Sequence, residues 1–185
     1  MRALETTRLI IRAFTLADGD TYSRLLEAAF GADSSGSADD RRIIFEYQVA
    51  ADPGLALLHQ PPYGDRAIVL RDSGEVVGSV GYAACLMPFG LLPSFETTTR
   101  FTSEIGLFWA LFPEHRGRGY ATEALGALID RAFRTLGVRR LVAGTGRDNA
   151  GSIGLLRRVG MRTFPSPYEG WPEVIGVLEN PSVHK

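Results

Sequence analysis

Arg116-Gly117-Arg118-Gly119-Tyr120-Ala121 alternates guanidinium side chains with glycines, and residues of these types at this spacing suit an anion. Glycine lets the main chain approach a ligand with no Cβ in the way, and a guanidinium matches phosphate oxygens. Where a helix begins, its first N–H groups have no partner inside it, and the aligned peptide dipoles add roughly half a positive charge. A phosphate or pyrophosphate is the natural occupant of such a turn. A solvated Arg/Gly loop with Gly119 as an ordinary cap fits the same residues, so the flanking segments decide.

Both flanks favour the anion. Residues 104–112 are nearly all apolar and stop at Pro113, as a buried strand does. After the turn, Ala121, Ala124, Leu125, Leu128, Ile129, Ala132, Phe133 and Leu136 recur at three- and four-residue spacing, while Thr122, Glu123, Asp130, Arg131 and Arg134 fill the other face. Gly137 then ends the helix, and Leu141, Val142, Ala143 and Gly144 supply a second apolar strand. Strand, glycine turn, helix and strand predict a βαβ unit with phosphate at the helix start.

The nature of the phosphate ligand is narrowed by the chain's single lysine, Lys185. A Walker loop needs Lys followed by Ser or Thr, and a pyridoxal enzyme needs an internal Schiff-base lysine. Neither is present. A dinucleotide-binding turn needs a third glycine, and this turn has none after Gly117 and Gly119, with Thr122 and Glu123 following instead; such a turn also belongs near the start of its first βαβ unit.

The segment Arg116-x-x-Gly119-x-Ala121 resembles the acyl-CoA pyrophosphate signature of the GNAT superfamily of N-acetyltransferases. Leu4-Glu5-Thr6-Thr7-Arg8-Leu9-Ile10-Ile11-Arg12 looks like the first strand of the branch of ribosomal-protein N-terminal acetyltransferases of the RimJ/RimL type, and Phe112-Pro113 through Glu123-Ala124 looks like its core. Asn149-Ala150-Gly151-Ser152, followed by Leu155, Leu156, Val159, Gly160 and Met161, is similar to its second cofactor-side helix. The first motif alone is common. Three in order across residues 4–161 are specific.

The resemblance implies acetyl-CoA as co-substrate and the acyl-CoA N-acyltransferase fold, with a splayed sheet whose gap admits the pantetheine arm. It implies that Arg116, Gly117, Arg118, Gly119, Tyr120 and Ala121 hold the diphosphate. A backbone N–H among Phe108, Trp109, Ala110 and Leu111 would meet the thioester oxygen. Ser152 matches the position that protonates the departing thiolate, and Tyr168 is a second acid candidate. Asn149 either contacts the cofactor or caps the following helix.

Attack on a thioester requires the amine to lose its proton, because ammonium has no lone pair and a lysine-like amine has a pKa of about 10.4. Glu104 is the candidate base, since it lies on the strand that feeds the turn and shares a face with Gly106 and Phe108. In related enzymes a glutamate often occupies this strand, and alignment from Pro113 and Arg116 puts it at Gly106. Glu104 keeps the face but lies about 6.6 Å away along the strand. An exposed strand-edge glutamate is the structural alternative.

At 185 residues the chain fits one domain, 1–185. A net charge of -1 leaves no electrostatic footprint for nucleic acid. Apolar stretches fall short of a membrane span. His59, His115 and His184 are scattered, and no Cys/His/carboxylate spacing makes a metal site. Cys85 has no cysteine to pair with and reads as a small core residue, which with the lack of a signal-like N-terminus favours the cytoplasm.

The elements that must position these groups are strands near 8–14, 66–71, 75–84, 103–111, 139–145 and 173–178, and helices near 18–30, 39–51, 119–136 and 150–159. Residues 71–75 read as a hairpin turn. The expected fold class is α+β: a mixed, mostly antiparallel sheet of about six to seven strands flanked by helices. Met87, Phe89, Leu91, Leu92 and Phe95 form an apolar insertion that either lines the acceptor site or meets a second subunit, so a homodimer stays open. Asp33, Asp39 and Asp40 could attract an amine or belong to a solvated turn. The resulting expectation is an acetyl-CoA-dependent N-acetyltransferase acting in a ternary complex on a primary amine, either a peptide N-terminus or a small molecule. A noncatalytic acyl-CoA sensor or a dimeric scaffold is the alternative.

Overall fold

The computed structural model describes residues 2–31, 36–93, 95, 99–167, 169 and 172–182. In chain order the elements are β1 (Leu4–Glu5), β2 (Leu9–Ala13), α1 (Gly19–Phe30), α2 (Ala38–Leu57), β3 (Gly64–Leu70), β4 (Val76–Met87), β5 (Thr102–Leu111), α3 (Tyr120–Arg134), β6 (Arg140–Thr145), α4 (Ala150–Arg158), β7 (Arg162–Pro165) and β8 (Val174–Glu179). The strands form one mixed sheet in the order β1-β2-β3-β4-β5-β6-β8-β7. β1 with β2, β2 with β3, β3 with β4, β6 with β8 and β7 with β8 pair antiparallel, while β5 and β6 run parallel through Ile105 with Leu141 and Gly106 with Val142. The βαβ unit read from the sequence is therefore present, with α3 as its crossover.

Among the described residues the sheet has eight strands, against the expected six to seven. The additions are β1 and β7, both short. β1 is two residues whose hairpin is closed when the Thr6 N–H donates to the Leu9 carbonyl and the Leu9 N–H donates to the Thr6 hydroxyl. β7 ends in Pro165, which an edge position tolerates because the missing N–H is not needed there. Neither segment has enough alternating residues to register as a strand.

The chain divides into two compact units, one of residues 1–82 and 108–127 and the other of residues 83–107 and 128–185. In the first unit, Phe14, Tyr22, Phe45, Ala67 and Val69 form a buried cluster under α1 and α2. The Phe14 ring meets Tyr22 edge-on at 5.1 Å between centroids. α2 begins at a capping box, with the Ser37 side chain accepting from the Asp40 N–H and the Asp40 carboxylate accepting from the Ser37 N–H. It then runs through Pro53 to Leu57, beyond the expected end near 51. A proline inside a helix costs about 3 kcal/mol. The offsetting contact is Asp52, which pairs with Arg66 of β3. Arg66 is fully buried, and a buried cation needs its counter-ion, so the helix turn carrying Asp52 is held in place.

In the second unit, the apolar insertion turns much of itself inward. Phe89, Leu92 and Phe95 are buried with Val142, Ile175 and Val177 in the unit's own core, and Cys85, Met87 and Phe164 pack against them. The Phe89 and Phe95 rings stack 5.7 Å apart. Leu86 and Leu91 stay exposed. Cys85 keeps its expected role as an apolar residue, and burial pushes its thiol pKa up. Among the described residues no helix is long and apolar enough to cross a membrane.

Candidate functional site

The glycine turn leads from β5 into α3 with the geometry the sequence suggested. Gly117 and Gly119 have φ of +75° and +82°, a region that side chains disfavour, and a helix starts at Tyr120. The Gly119 carbonyl accepts the Glu123 N–H at 3.1 Å and so opens the helical ladder. Among the described residues, the N–H groups of Gly117, Arg118, Gly119, Tyr120, Ala121 and Thr122 donate to no carbonyl or side chain. Glycine offers no side chain to cap a helix start, so these donors are left to solvent or to a ligand at the positive end of the dipole.

The two arginines of the turn differ in placement. Arg116 reaches back, with Nε donating to the Leu111 carbonyl at 3.2 Å and one terminal nitrogen to the Ala28 carbonyl at 3.5 Å. It ties the turn to β5 and α1. Arg118 is exposed, and its carbonyl accepts from the guanidinium of Arg8 at 2.9 Å. His115, just before the turn, is buried and lies with Nε2 3.3 Å from a Glu75 oxygen.

Sequence reasoning had no place for Arg8 at this turn. Its Nε donates to Glu123 at 2.7 Å, its backbone N–H donates to the same carboxylate at 2.8 Å, and the Thr6 hydroxyl joins them at 2.6 Å. The guanidinium lies 4.8 Å over the Tyr120 ring. Burial works against a charge on Glu123, yet these bonds outweigh it and hold the carboxyl below its ordinary pKa. No local pattern reveals the contact, because the partners are 115 residues apart.

In the second unit, Asn149 caps α4: its side-chain oxygen accepts the Ser152 N–H at 3.0 Å. Asn149 and Ser152 are thus brought together, with Ser152 half-buried in the first turn of the helix. Tyr168 lies outside the described residues. Phe108 and Trp109 are half-buried, Ala110 and Leu111 are buried, and none of the four takes part in the parallel ladder of β5 with β6.

Glu104 is not the exposed strand-edge residue of the structural alternative. Its carboxylate lies 3.3 Å from Nε of Arg140, with side-chain exposures of 9% and 6%. Burial raises its pKa, against the opposing pull of the Arg140 charge. At Gly106, the position where related enzymes often carry the glutamate, a Cβ would come 2.5 Å from the Cys85 sulfur. The thiol fills the space a side chain would need.

Of the acidic residues between the first two helices, Asp40 is engaged in the capping box and Asp39 lies 3.4 Å from Arg42. Those contacts belong to a helix start on the surface. Asp33 lies outside the described residues.

Comparison with known proteins follows the same lines. The family described as acetyltransferase (GNAT) domain matches residues 8–162. An uncharacterized N-acetyltransferase of Bacillus subtilis (strain 168), YoaA, is 28% identical over 165 residues, covering 86% of this chain and 82% of its own length. A crystal structure of an acetyltransferase from Agrobacterium tumefaciens shares 26% identity with a TM-score of 0.72, covering 97% of this chain and 95% of that one. A RimL ribosomal-protein acetyltransferase in complex with coenzyme A aligns at 17% identity and a TM-score of 0.62, covering 95% of this chain and 96% of the other, and at that identity it speaks for the fold alone.

Proposed function

The chain belongs to the acetyltransferase (GNAT) domain family, and from that premise we propose that it moves an acetyl group from acetyl-CoA to a primary amine by direct attack in a ternary complex. The observation that carries this reading is the row of unengaged N–H groups from Gly117 to Thr122, held by left-handed glycines at a helix start. A diphosphate takes up such donors, and Arg118 adds formal charge beside them. The Arg116 side chain anchors the turn from behind.

The chemistry asks for a base, an oxyanion donor and an acid. Glu104 serves as the base in this reading. Its burial-raised pKa makes it a better proton acceptor than a free carboxylate. The N–H groups of Phe108, Trp109, Ala110 and Leu111 are the candidates for the developing charge on the thioester oxygen, supported by their absence from the β5–β6 ladder. Ser152 donates the proton that lets coenzyme A leave as a thiol, and Tyr168 is the second candidate for that step. The RimJ/RimL-like branch, and with it a protein N-terminus as acceptor in a reducing cytoplasm, is part of the proposal, supported by the motifs at 4–12, 112–124 and 149–161.

The test is thiol release from acetyl-CoA across a panel of amines: peptides with free N-termini, amino acids, polyamines and aminoglycosides. Release with peptide N-termini above all others is expected. A thermal shift with acetyl-CoA but no release for any amine removes acetyl transfer to amines. The absence of any shift removes the binding site itself.

A further inference from the structure

The diphosphate turn is gripped from outside by a residue of the opening hairpin. We propose that Arg8 and Glu123 form a clasp that keeps the turn 116–120 receptive to the diphosphate of acetyl-CoA, which makes Arg8 a positioning residue for the co-substrate. This rests on the reading of the turn as the acetyl-CoA site.

Two features of the contact carry it. The first is the direction of one peptide group. In a trans peptide the carbonyl of one residue and the N–H of the next point opposite ways. Arg8 donates to the Arg118 carbonyl at 2.9 Å, so the Gly119 N–H is turned away from Arg8, to the side where it has no partner among the described residues. Without that bond nothing among the described contacts fixes the peptide, because both neighbouring glycines can rotate freely. Arg8 also lies across Gly119, with one terminal nitrogen 3.3 Å from where a Cβ would stand.

The second is charge. Glu123 stands in the first turn of α3, where a carboxylate interacts well with the helix dipole and for the same reason competes with an anionic ligand. Its oxygens are instead occupied by the Thr6 hydroxyl, the Arg8 N–H and the Arg8 guanidinium, at 2.6 to 2.8 Å. One cation thus cancels the carboxylate and aims the turn. Its guanidinium geometry matters, since Nε serves Glu123 while a terminal nitrogen serves Arg118, and a lysine ammonium has no such fork.

Acetyl-CoA affinity by calorimetry and steady-state kinetics of Arg8→Ala, Arg8→Lys, Glu123→Gln and the double variant Arg8→Ala/Glu123→Gln test the clasp. Arg8→Ala is expected to weaken acetyl-CoA binding about tenfold and raise its KM in step, with kcat at saturation and the KM of the amine unchanged. Arg8→Lys falls between, and Glu123→Gln, which keeps an acceptor for Arg8 but loses the charge that holds it, weakens binding by less than Arg8→Ala. The double variant recovers part of the loss, because the repelling carboxylate is gone while the peptide remains unpinned. Equal affinity of Arg8→Ala and the parent overturns the clasp and leaves the site intact. So does a double variant no better than the single one, or a loss spread over kcat and both KM values, which would mark a purely structural contact. Failure of the parent itself to bind acetyl-CoA would overturn the site and the clasp together.

Discussion

Glu104 and Arg140 meet at 3.3 Å with both side chains buried, and the Arg140 guanidinium lies 3.9 Å over the ring of Phe95. The proposed base is therefore also the counter-ion of a cation seated on the apolar insertion. Removing one partner of such a pair leaves a buried charge uncompensated, so loss of activity and loss of stability must be separated.

Glu104→Gln keeps the shape and a hydrogen-bond acceptor while removing the base. A fall in kcat/KM of about 100-fold is expected, together with loss of the acidic limb of the pH–rate profile. The limb should lie above the ordinary carboxylate range, because burial raises the pKa of Glu104. If correctly folded Glu104→Gln, checked by its melting temperature, retains parental kcat/KM, Glu104 is only a counter-ion.

Gly119→Val places a β-branched side chain at φ +82°, with its Cβ 3.3 Å from the Arg8 guanidinium. The strain is of the order of 1–3 kcal/mol, and the turn must rearrange to relieve it. Thermal stabilisation by acetyl-CoA should vanish. Full retention of that stabilisation puts the co-substrate elsewhere.

Gly106→Ala drives a Cβ to within 2.5 Å of the Cys85 sulfur, whereas the next nearest atom is the Ala83 carbonyl oxygen at 3.5 Å. Overpacking of this kind costs about 1–3 kcal/mol. In Cys85→Ala/Gly106→Ala the clash is gone, so urea unfolding should reveal a favourable coupling of about 1 kcal/mol between the two changes. Additive effects would show that the sulfur is not what excludes a side chain at 106.

Asp65, whose carboxylate takes a hydrogen bond from Tyr22 and faces the charge of Arg66, is pushed by burial from 3.8 up to about 6. Because the folded pKa is the higher one, the folded protein binds more protons than the unfolded chain between those values. Stability therefore falls as pH rises from about 4 to 6, a contribution of the order of 2–3 kcal/mol. Asp18, held at about 2 by Arg12, acts in the opposite sense but at lower pH, its stabilisation being lost only as pH falls below 3.8. Asp65→Asn should flatten the upper window in denaturant titrations and stabilise the protein at pH 7. An unchanged slope between pH 4 and 6 would remove Asp65 as its source.

What the sequence by itself determined is local. The three- and four-residue spacing of α3, the apolar run of β5, the left-handed glycines at 117, 119 and 137, and the hairpin closed by Gly74 each follow from conformational preferences within a few residues. The motifs that resembled the family lie on those same elements, which is why fold class and family were legible together. Tertiary structure decided whatever depends on a distant partner. Pro53 stays inside α2 because Asp52 must reach buried Arg66, and Phe89, Leu92 and Phe95 turn inward because β6 and β8 offer Val142, Ile175 and Val177. Glu104 meets Arg140, and Arg8 crosses 110 positions to hold the Arg118 carbonyl. A buried or ligand-facing charge must find its complement in space, and no periodicity along the chain records which residue that will be.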